Sequence, residues 1–405
     1  MTGVRRRIAF VINSLGAGGA ERVLQNILRA ERAEDGWASH LVLLDREREM
    51  RVMPDAVTMH RLDCRARLTP SIRQLTRTLR AIRPDVIVSF LIRANVASIA
   101  AARQLGVRCV ISERMHLSTH LAGRYSGPQL LGARMVPRLA YPWADHVIAV
   151  SDGVRRDLIE HYGVAPARAV TIYNPYDLQR IAREAEAAPE IALPERFIVS
   201  VGRLVESKGF SDLICAYAQA QPEEALCILG DGPERARLEA QITGLGLTDK
   251  VKLLGYARNP FAVVSRAGLF VSASRCEGFP NAMAEAMALG VPVVATDCKS
   301  GPAELLDNAA TGRVADVHEA AYGVLAPVNA PGSLAAALRM MANPAKRARF
   351  GALGRARMQE FEIGAIAARF WATFAQVAEW GAMKASAVAA GQYADTRPQA
   401  GLKQR

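Results

Sequence analysis

The stretch LFVSASRCEGFPNAMAEAMALGVPVVAT (269–296) decides the fold class. It opens on one apolar, β-rich run, LFVSAS (269–274), and closes on another, VPVVAT (291–296). Between them Gly278, Phe279 and Pro280 open a helical segment that carries Glu285 and ends at Gly290, and Pro292 enters the next strand. A strand, a helix and a strand in this order form a parallel α/β unit. Glu277 sits in the loop after the first strand. The helix start offers free backbone N–H groups at residues 278–282, and its dipole favours negative charge at that end. Glu285 lies about one turn inside the helix, within reach of a ligand held there. Carboxylates so placed accept hydrogen bonds from sugar hydroxyls, although acids near a helix start are also ordinary structural choices.

The same alternation runs outward on both sides. FIVSVG (197–202), LCILGDG (226–232), VKLLGY (251–256) and YGVLAP (322–327) complete one α/β series. Before it, IAFVIN (8–13), HLVLLD (40–45), DVIVSF (85–90), CVISE (109–113), HVIAVS (146–151) and VTIYN (170–174) make another. Thr69 is placed to cap a helix with Pro70 at its first position, and Gly163 and Pro166 bracket the end of a second one. The polar, Ala/Glu-rich stretch PYDLQRIAREAEAAPEIALPER joins the two series and reads as a linker. The tail from Lys384 lacks apolar periodicity and reads as disordered.

A chain of 405 residues suits two domains. Half of the residues are apolar and 22% are charged, a soluble globular composition. No apolar run approaches the roughly 20 residues of a membrane helix. The first apolar run ends at Asn13 among glycines, so it reads as a strand and not a signal peptide. Cys64, Cys109, Cys215, Cys227, Cys276 and Cys298 form no C-x-x-C pair and no zinc spacing, which fits reduced thiols in a cytoplasmic protein. His116 and His120 lack a third ligand nearby, and there is no D-x-D triplet, so no metal and no cofactor are expected. The net charge of +12 is concentrated early: residues 1–190 hold 28 arginines and no lysine against 19 acidic residues. A basic half attracts nucleic acid, an anionic membrane or a phosphorylated substrate, or reflects a generally arginine-rich composition. No nucleic-acid recognition module is present, so no nucleic-acid partner is expected.

Three further segments carry chemistry. In VGRLVESKGF (201–210), Arg203 and Lys208 lie in the connection after a strand, where open α/β sheets bind ligands. Two cations there suit a diphosphate, the alternative being solvated surface charges. In ILGDGPERARLE (228–239) the Gly-Asp-Gly-Pro turn reads as structural, with Pro233 at a helix's first position. In NSLGAGGAERV (13–23), Gly16, Gly18 and Gly19 let backbone N–H groups approach a phosphate. Asp45 ends the second strand where a dinucleotide-binding fold places its ribose acid, so a dehydrogenase is a rival for this half. The third glycine of that fingerprint is here Glu21, which would repel a pyrophosphate.

In their order and spacing, GAGGAERV, VGRLVESKGF, ILGDGPERARLE and the Glu-x7-Glu element from Glu277 to Glu285 resemble the retaining glycosyltransferases of family 4, over about residues 8–381. The resemblance implies the α/β fold called GT-B, two facing Rossmann-like domains with a C-terminal helix crossing back to the N-domain. The corresponding division is an acceptor domain over 1–174, a linker over 175–195, a nucleotide-sugar domain over 196–360, the returning helix over 361–383 and the tail over 384–405. It implies that Arg203 and Lys208 neutralise the donor diphosphate, that Glu277 contacts the sugar hydroxyls and that Glu285 holds the ribose. Gly16, Gly18 and Gly19 would close over the donor, with Gly278, Phe279, Pro280 and Asn281 lining it. Glu277, Arg203 and Lys208 form the implied catalytic set, without a metal. IYNPYD (172–177), ISER (111–114), CKSGPAELL (298–306) and YGVLAP (322–327) are similar to enzymes that extend polyprenyl-diphosphate-linked oligosaccharides, α-N-acetylgalactosaminyltransferases among them. Many family members carry a histidine motif on the acceptor side. Here the strand ends in Ser112, Glu113 and Arg114, with His116 two residues on, and these are the acceptor-side candidates.

The expected activity is transfer of a hexose or N-acetylhexosamine, with retention, from a nucleotide diphosphate-sugar to a lipid-linked oligosaccharide or polysaccharide precursor. The resemblance favours UDP. A sugar-nucleotide epimerase of the same fold and a non-catalytic nucleotide-sugar-binding partner in polysaccharide assembly are the alternatives. An anionic membrane, the inner face of the cytoplasmic membrane, is a further expected partner, because two basic segments have amphipathic character. One sets Arg73, Arg77 and Arg80 opposite Ile72, Leu75, Leu79 and Ile82; the other sets Leu130, Leu131, Met135, Val136 and Leu139 beside Arg134 and Arg138. Packing of the apolar faces on the sheet, with solvated arginines, is the plainer alternative for each.

Overall fold

Strands β1 (Arg6–Ile12), β2 (Trp37–Leu43), β3 (Thr58–Arg61), β4 (Val86–Phe90), β5 (Arg108–Glu113), β6 (His146–Ala149) and β7 (Ala169–Thr171) form a parallel sheet in the order β3-β2-β1-β4-β5-β6-β7. The computed structural model describes residues 6–16, 18–30, 36–309 and 314–389. Side chains alternate across each strand. Ile8, Phe10 and Ile12 therefore enter one core, while Ala9 and Val11 enter the other. Helices cover both faces: α1 (Gly19–Arg29), α2 (Leu68–Ile82), α3 (Ile92–Leu105), α4 (Leu117–Ala122), α5 (Gly127–Ala140) and α6 (Asp152–Tyr162). The edge strand β3 was not anticipated, because its half-exposed sequence TMHR carries no apolar run.

After α7 (Leu178–Ala185) a second sheet forms from β8 (Phe197–Val201), β9 (Ala225–Leu229), β10 (Val251–Gly255), β11 (Leu269–Ser272), β12 (Val293–Thr296), β13 (His318–Glu319) and β14 (Val324–Ala326). Its order is β10-β9-β8-β11-β12-β14-β13, parallel except for the short β13–β14 pair. The associated helices are α8 (Phe210–Ala220), α9 (Arg235–Gly244), α10 (Pro260–Val264), α11 (Asn281–Ala288), α12 (Pro302–Leu306), α13 (Pro331–Met340) and α14 (Pro344–Arg357). In each sheet the strand order reverses beside the first strand, between β1 and β4 and between β8 and β11. A crevice opens beyond the carboxyl ends of strands at such a point.

Two chain crossings run side by side between the domains: the Tyr176 amide donates to the Phe361 carbonyl at 2.9 Å, and the Ile363 amide donates to Tyr176 O at 2.9 Å. The chain then enters α15 (Ile363–Ala389), which packs back on the first domain. Trp371 and Phe374 meet Phe10 edge-on at 5.8 and 5.7 Å, and the Trp371 indole N–H donates to Ile27 O at 3.2 Å.

Several local expectations need correction. The stretch expected as a plain linker holds α7, started by Asp177 accepting from the Arg180 amide at 2.8 Å and packed against α10 and α11. Helix α2 begins at Leu68 with Arg67 as its N-cap, so Thr69 lies inside its first turn and caps nothing. Helix α9 begins at Arg235, beyond Pro233. Residues 384–389, expected to be disordered, continue α15; residues 390–405 lie outside the described residues. Among the described residues no helix is long and apolar enough to cross a membrane.

Candidate functional site

The loops after β8 and β11 meet at the switch point of the second sheet. Lys208 follows β8, and its Nζ lies 2.5 Å from Glu277 Oε1. Glu277 follows β11 and also accepts from the Ser274 hydroxyl at 2.6 Å. The Glu277 carbonyl accepts from Ser300 Oγ at 2.5 Å, so the loop is held at both ends. Lys208, Ser274, Glu277, Pro280 and Asn281 line one narrow cavity beside the start of α11. Arg203 is exposed on the same loop as Lys208. Its charge helps to lower the pKa of His120 in the first domain, after burial and Arg124. The Gly-Asp-Gly turn supports this loop from behind: a Cβ at Gly230 would overlap Gly202 O and one at Gly232 would overlap Leu204 O, while Leu204 N donates to Asp231 O at 2.9 Å.

The first domain closes against this crevice. A Cβ added to Gly19 would lie 2.6 Å from Asn281 Nδ2, and one at Gly278 would overlap the Arg114 carbonyl. Gly16 has open space around it, and Glu21 folds back over Gly18. Asn281 Oδ1 accepts from Asn174 Nδ2 at 2.6 Å and from the Tyr176 hydroxyl at 2.7 Å. Asn174 in turn accepts from the buried Arg114 guanidinium. The Phe279 ring packs, tilted, against Tyr173 and Phe361 at centroid distances of 5.3 and 5.8 Å, and Pro280 is the N-cap residue of α11. Glu285 is buried and ion-paired with Arg22 of α1 across the cleft. On the far side, Glu304 of α12 accepts from the amides of Asp152 and Gly153 at 2.7 and 3.0 Å. It thereby satisfies the start of a helix that belongs to the other domain.

The acceptor-side trio separates. Glu113 is fully buried, accepts from Tyr141 Oη at 2.6 Å and from the Arg114 amide at 2.9 Å, and does not reach the cleft. Burial pushes its carboxyl up to about 7. Arg114, lowered to about 10 by burial, points at Asn174 and so at the helix bearing Glu285. His116 caps α4, with Nδ1 3.0 Å from Thr119 Oγ1 and 3.6 Å from Asp157 Oδ2. It is lowered mainly by burial. Asp45, the dehydrogenase candidate, is committed to Arg93 and to the Ala66 amide at 3.0 Å.

Sequence reasoning missed Arg22, Asn174, Tyr176 and Glu304 as members of the interdomain contact. Their motifs GAERV, IYNPYD and CKSGPAELL carried the signal, but only tertiary folding brings Asn174 to Asn281. Cys276, beside Glu277, is pushed up to about 12, chiefly by burial. The six cysteines are unpaired, and among the described residues no group of three His, Cys, Asp or Glu side chains could hold a metal ion.

Comparison with known proteins bears on the family. Residues 17–180 match the model for glycosyltransferase family 4, and residues 182–357 match that for glycosyl transferases group 1. The N-acetylgalactosamine-N,N'-diacetylbacillosaminyl-diphospho-undecaprenol 4-alpha-N-acetylgalactosaminyltransferase of Campylobacter jejuni is 32% identical over 77% of this chain and 86% of its own. The lipopolysaccharide 1,6-galactosyltransferase of Escherichia coli is 31% identical over 42% of this chain and 48% of its own. Among solved structures, Anabaena HepE in complex with UDP and glucose superposes with a TM-score of 0.71 at 22% identity, covering 92% of this chain and 100% of that one. Sucrose-phosphate synthase from Thermosynechococcus elongatus does so with 0.74 at 20%, covering 92% and 99%. At those identities the structures speak for the two-domain fold alone. The family models for both halves and the Campylobacter relative, 32% identical over most of both chains, go further: this chain belongs to the family 4 glycosyltransferases, with the GT-B architecture.

Proposed function

We propose that this chain transfers a hexose or N-acetylhexosamine, with retention and without a metal, from a nucleotide diphosphate-sugar, a UDP-sugar, to a polyprenyl-diphosphate-linked oligosaccharide or polysaccharide precursor. One observation carries the reading: Lys208, Glu277 and the start of α11 converge at the β8/β11 crevice, under the glycine turn of the facing domain. Breaking the anomeric C–O bond builds negative charge on the diphosphate, and fixed donors aimed at that charge are usually the largest catalytic contribution. Lys208, Arg203 and the first amides of α11 supply them. Glu277 takes the sugar hydroxyls and Glu285 the ribose. Retention follows from front-face departure, in which the leaving phosphate accepts the proton of the incoming hydroxyl and no side-chain base is needed. The fully buried Glu113 fits that route, since it is not available as a base. UDP and the polyprenyl acceptor rest on the relatives whose names include them.

The membrane contact falls to α5. In α2 the apolar residues Leu75, Leu79 and Ile82 are buried, so Arg73, Arg77 and Arg80 are a solvated face with nothing to insert. In α5 the pattern is reversed: Leu131 and Leu139 are 65% and 64% exposed, and Met135 and Val136 lie beside them. Trp143 follows, 48% exposed with the Arg103 guanidinium 3.5 Å from its ring centroid. An apolar stripe flanked by Arg134 and Arg138 suits the interface of an anionic bilayer.

The test is a nucleotide-sugar screen by thermal stabilisation, followed by turnover with polyprenyl-diphosphate-linked acceptors, because a ligand that binds the native state raises its apparent stability. A stabilising donor consumed only in the presence of acceptor, with the anomeric configuration kept, supports the reading. Conversion of the donor without acceptor makes the chain an epimerase. Donor binding without any turnover makes it a non-catalytic partner.

A further inference from the structure

Arg22 and Glu285 lie 263 residues apart and belong to different domains, yet the Arg22 Nη1 donates to Glu285 Oε1. Arg22 sits on the first turn of α1, just after the glycine turn, and its side chain is one-third exposed to the cleft; that of Glu285 is 9% exposed. The pair uses one carboxylate oxygen, and a carboxylate has capacity for further donors on the other. A buried carboxylate without a cation takes up a proton and then ceases to be a strong acceptor.

We propose that Arg22 is a positioning residue of the donor site: reaching from the first domain, it keeps the Glu285 carboxylate charged and aimed while leaving its second oxygen for the vicinal hydroxyls of the nucleotide's ribose. The inference rests on the reading of Glu285 as the ribose acceptor. It gives domain closure a chemical consequence, because the second domain's ribose acceptor is complete only when the first domain supplies its cation.

The surroundings agree. Burial raises the Glu285 carboxyl, and Arg22 is the largest influence pulling it back, ahead of Arg51 from the β2–β3 connection and Arg180 from α7. Tyr176 faces it from the chain crossing. Arg22 itself is raised, chiefly by Glu285. With Arg22 gone, Glu285 protonates at higher pH, so donor affinity falls as pH is lowered and recovers as pH rises.

The experiment compares wild type, Arg22→Met, Arg22→Lys, Glu285→Gln and the Arg22→Met/Glu285→Gln double variant. It reads donor Kd, donor KM and kcat between about pH 5.5 and 8.5, with melting temperature as the check on folding. Removing a charge-assisted hydrogen bond of this kind costs about tenfold in affinity or more. The expected result is a donor KM in Arg22→Met raised about tenfold at the acid end of that range, with kcat changed less and the penalty shrinking as pH rises. Arg22→Lys restores most of the affinity, and Arg22→Met adds little in the Glu285→Gln background. A penalty independent of pH, or one that adds in full to Glu285→Gln, overturns the coupling to Glu285. Tighter donor binding in Arg22→Met overturns it too, since Arg22 would then obstruct the site. Wild-type donor binding by Glu285→Gln sinks the reading of Glu285 itself, whatever Arg22 does.

Discussion

Lys208 and Glu277 form an ion pair of 2.5 Å between the loops that follow β8 and β11, with side chains 28% and 11% exposed. Each is held in the position from which it would meet a donor: Lys208 by the short helical turn Glu206–Lys208, and Glu277 by Ser274. An uncharged partner on either side removes the counter-ion but leaves the loop's other contacts, from Ser274 to the Glu277 carboxylate and from Ser300 to its carbonyl, in place. Lys208→Met and Glu277→Gln should therefore keep the fold and lower kcat, by on the order of a hundredfold for the lysine, since one fixed donor to a developing anion contributes about 3 kcal/mol. Glu285→Gln should act more on donor KM. Steady-state kinetics beside a melting curve for each variant measures this; unchanged kcat and KM in all three would place the active site elsewhere.

Activity should survive excess EDTA. The chain has no D-x-D triplet, and in the proposed function the charge on the leaving diphosphate would be met by Arg203, Lys208 and the start of α11. A rate abolished by chelation and restored by manganese or magnesium would refute the metal-free assignment.

Most of the fold was legible because the strands buried on both faces are continuous apolar runs bounded by glycine and proline. IAFVIN and LFVSAS announce themselves; TMHR in β3 and the two-residue β13 do not, since edge strands bury little. The C-terminal half of the candidate site was readable in part: Lys208 and Glu277 each follow an apolar strand run, where open α/β sheets bind ligands, and the family resemblance paired them, but the order reversal that brings their loops together belongs to the sheet. Side-chain pairings between the domains, such as Arg22 with Glu285 and Asn174 with Asn281, were not readable. Glu113 looked like an acceptor-side acid from its place at the end of β5, but the inward direction of its side chain depends on Tyr141, 28 residues later. Asp45 looked like a ribose acid until Arg93 claimed it.

The buried Glu113 makes stability depend on pH. Its carboxyl is raised to about 7 from an ordinary 4.5, so the folded state binds the proton more tightly than the unfolded chain. The resulting contribution is fully present below about pH 4.5 and is lost as pH rises through about 7, on the order of 3 kcal/mol in total. Glu113→Gln keeps an acceptor for the backbone amides and cannot ionise. Melting curves from pH 5 to 8.5 should show wild type losing stability relative to Glu113→Gln as pH rises. Parallel curves for the two proteins would mean that Glu113 does not carry the proton.

The membrane proposal separates two helices that looked alike in sequence. Each basic residue near an anionic surface contributes about 1 kcal/mol, while each large apolar side chain moved from water into the acyl boundary contributes roughly 1.5–3 kcal/mol. Helix α5 offers Leu131, Met135 and Leu139 at successive turns, with Pro137 the only buried residue of the helix. Replacing Leu131 and Leu139 with serine therefore removes insertion without opening a core, and the melting temperature should stay near wild type. Co-sedimentation with vesicles containing anionic lipid, at low and high salt, reads the outcome. The double serine variant should lose most binding under both conditions. An Arg73/Arg77/Arg80→Gln variant should lose only the salt-sensitive part, because long-range attraction between surface charges is screened within about 10 Å at 0.1 M salt. The reverse ranking would move the contact to α2. A wild-type protein that ignores anionic vesicles at low salt would leave α5 an exposed helix without a bilayer, and the acceptor would have to reach the cleft from solution.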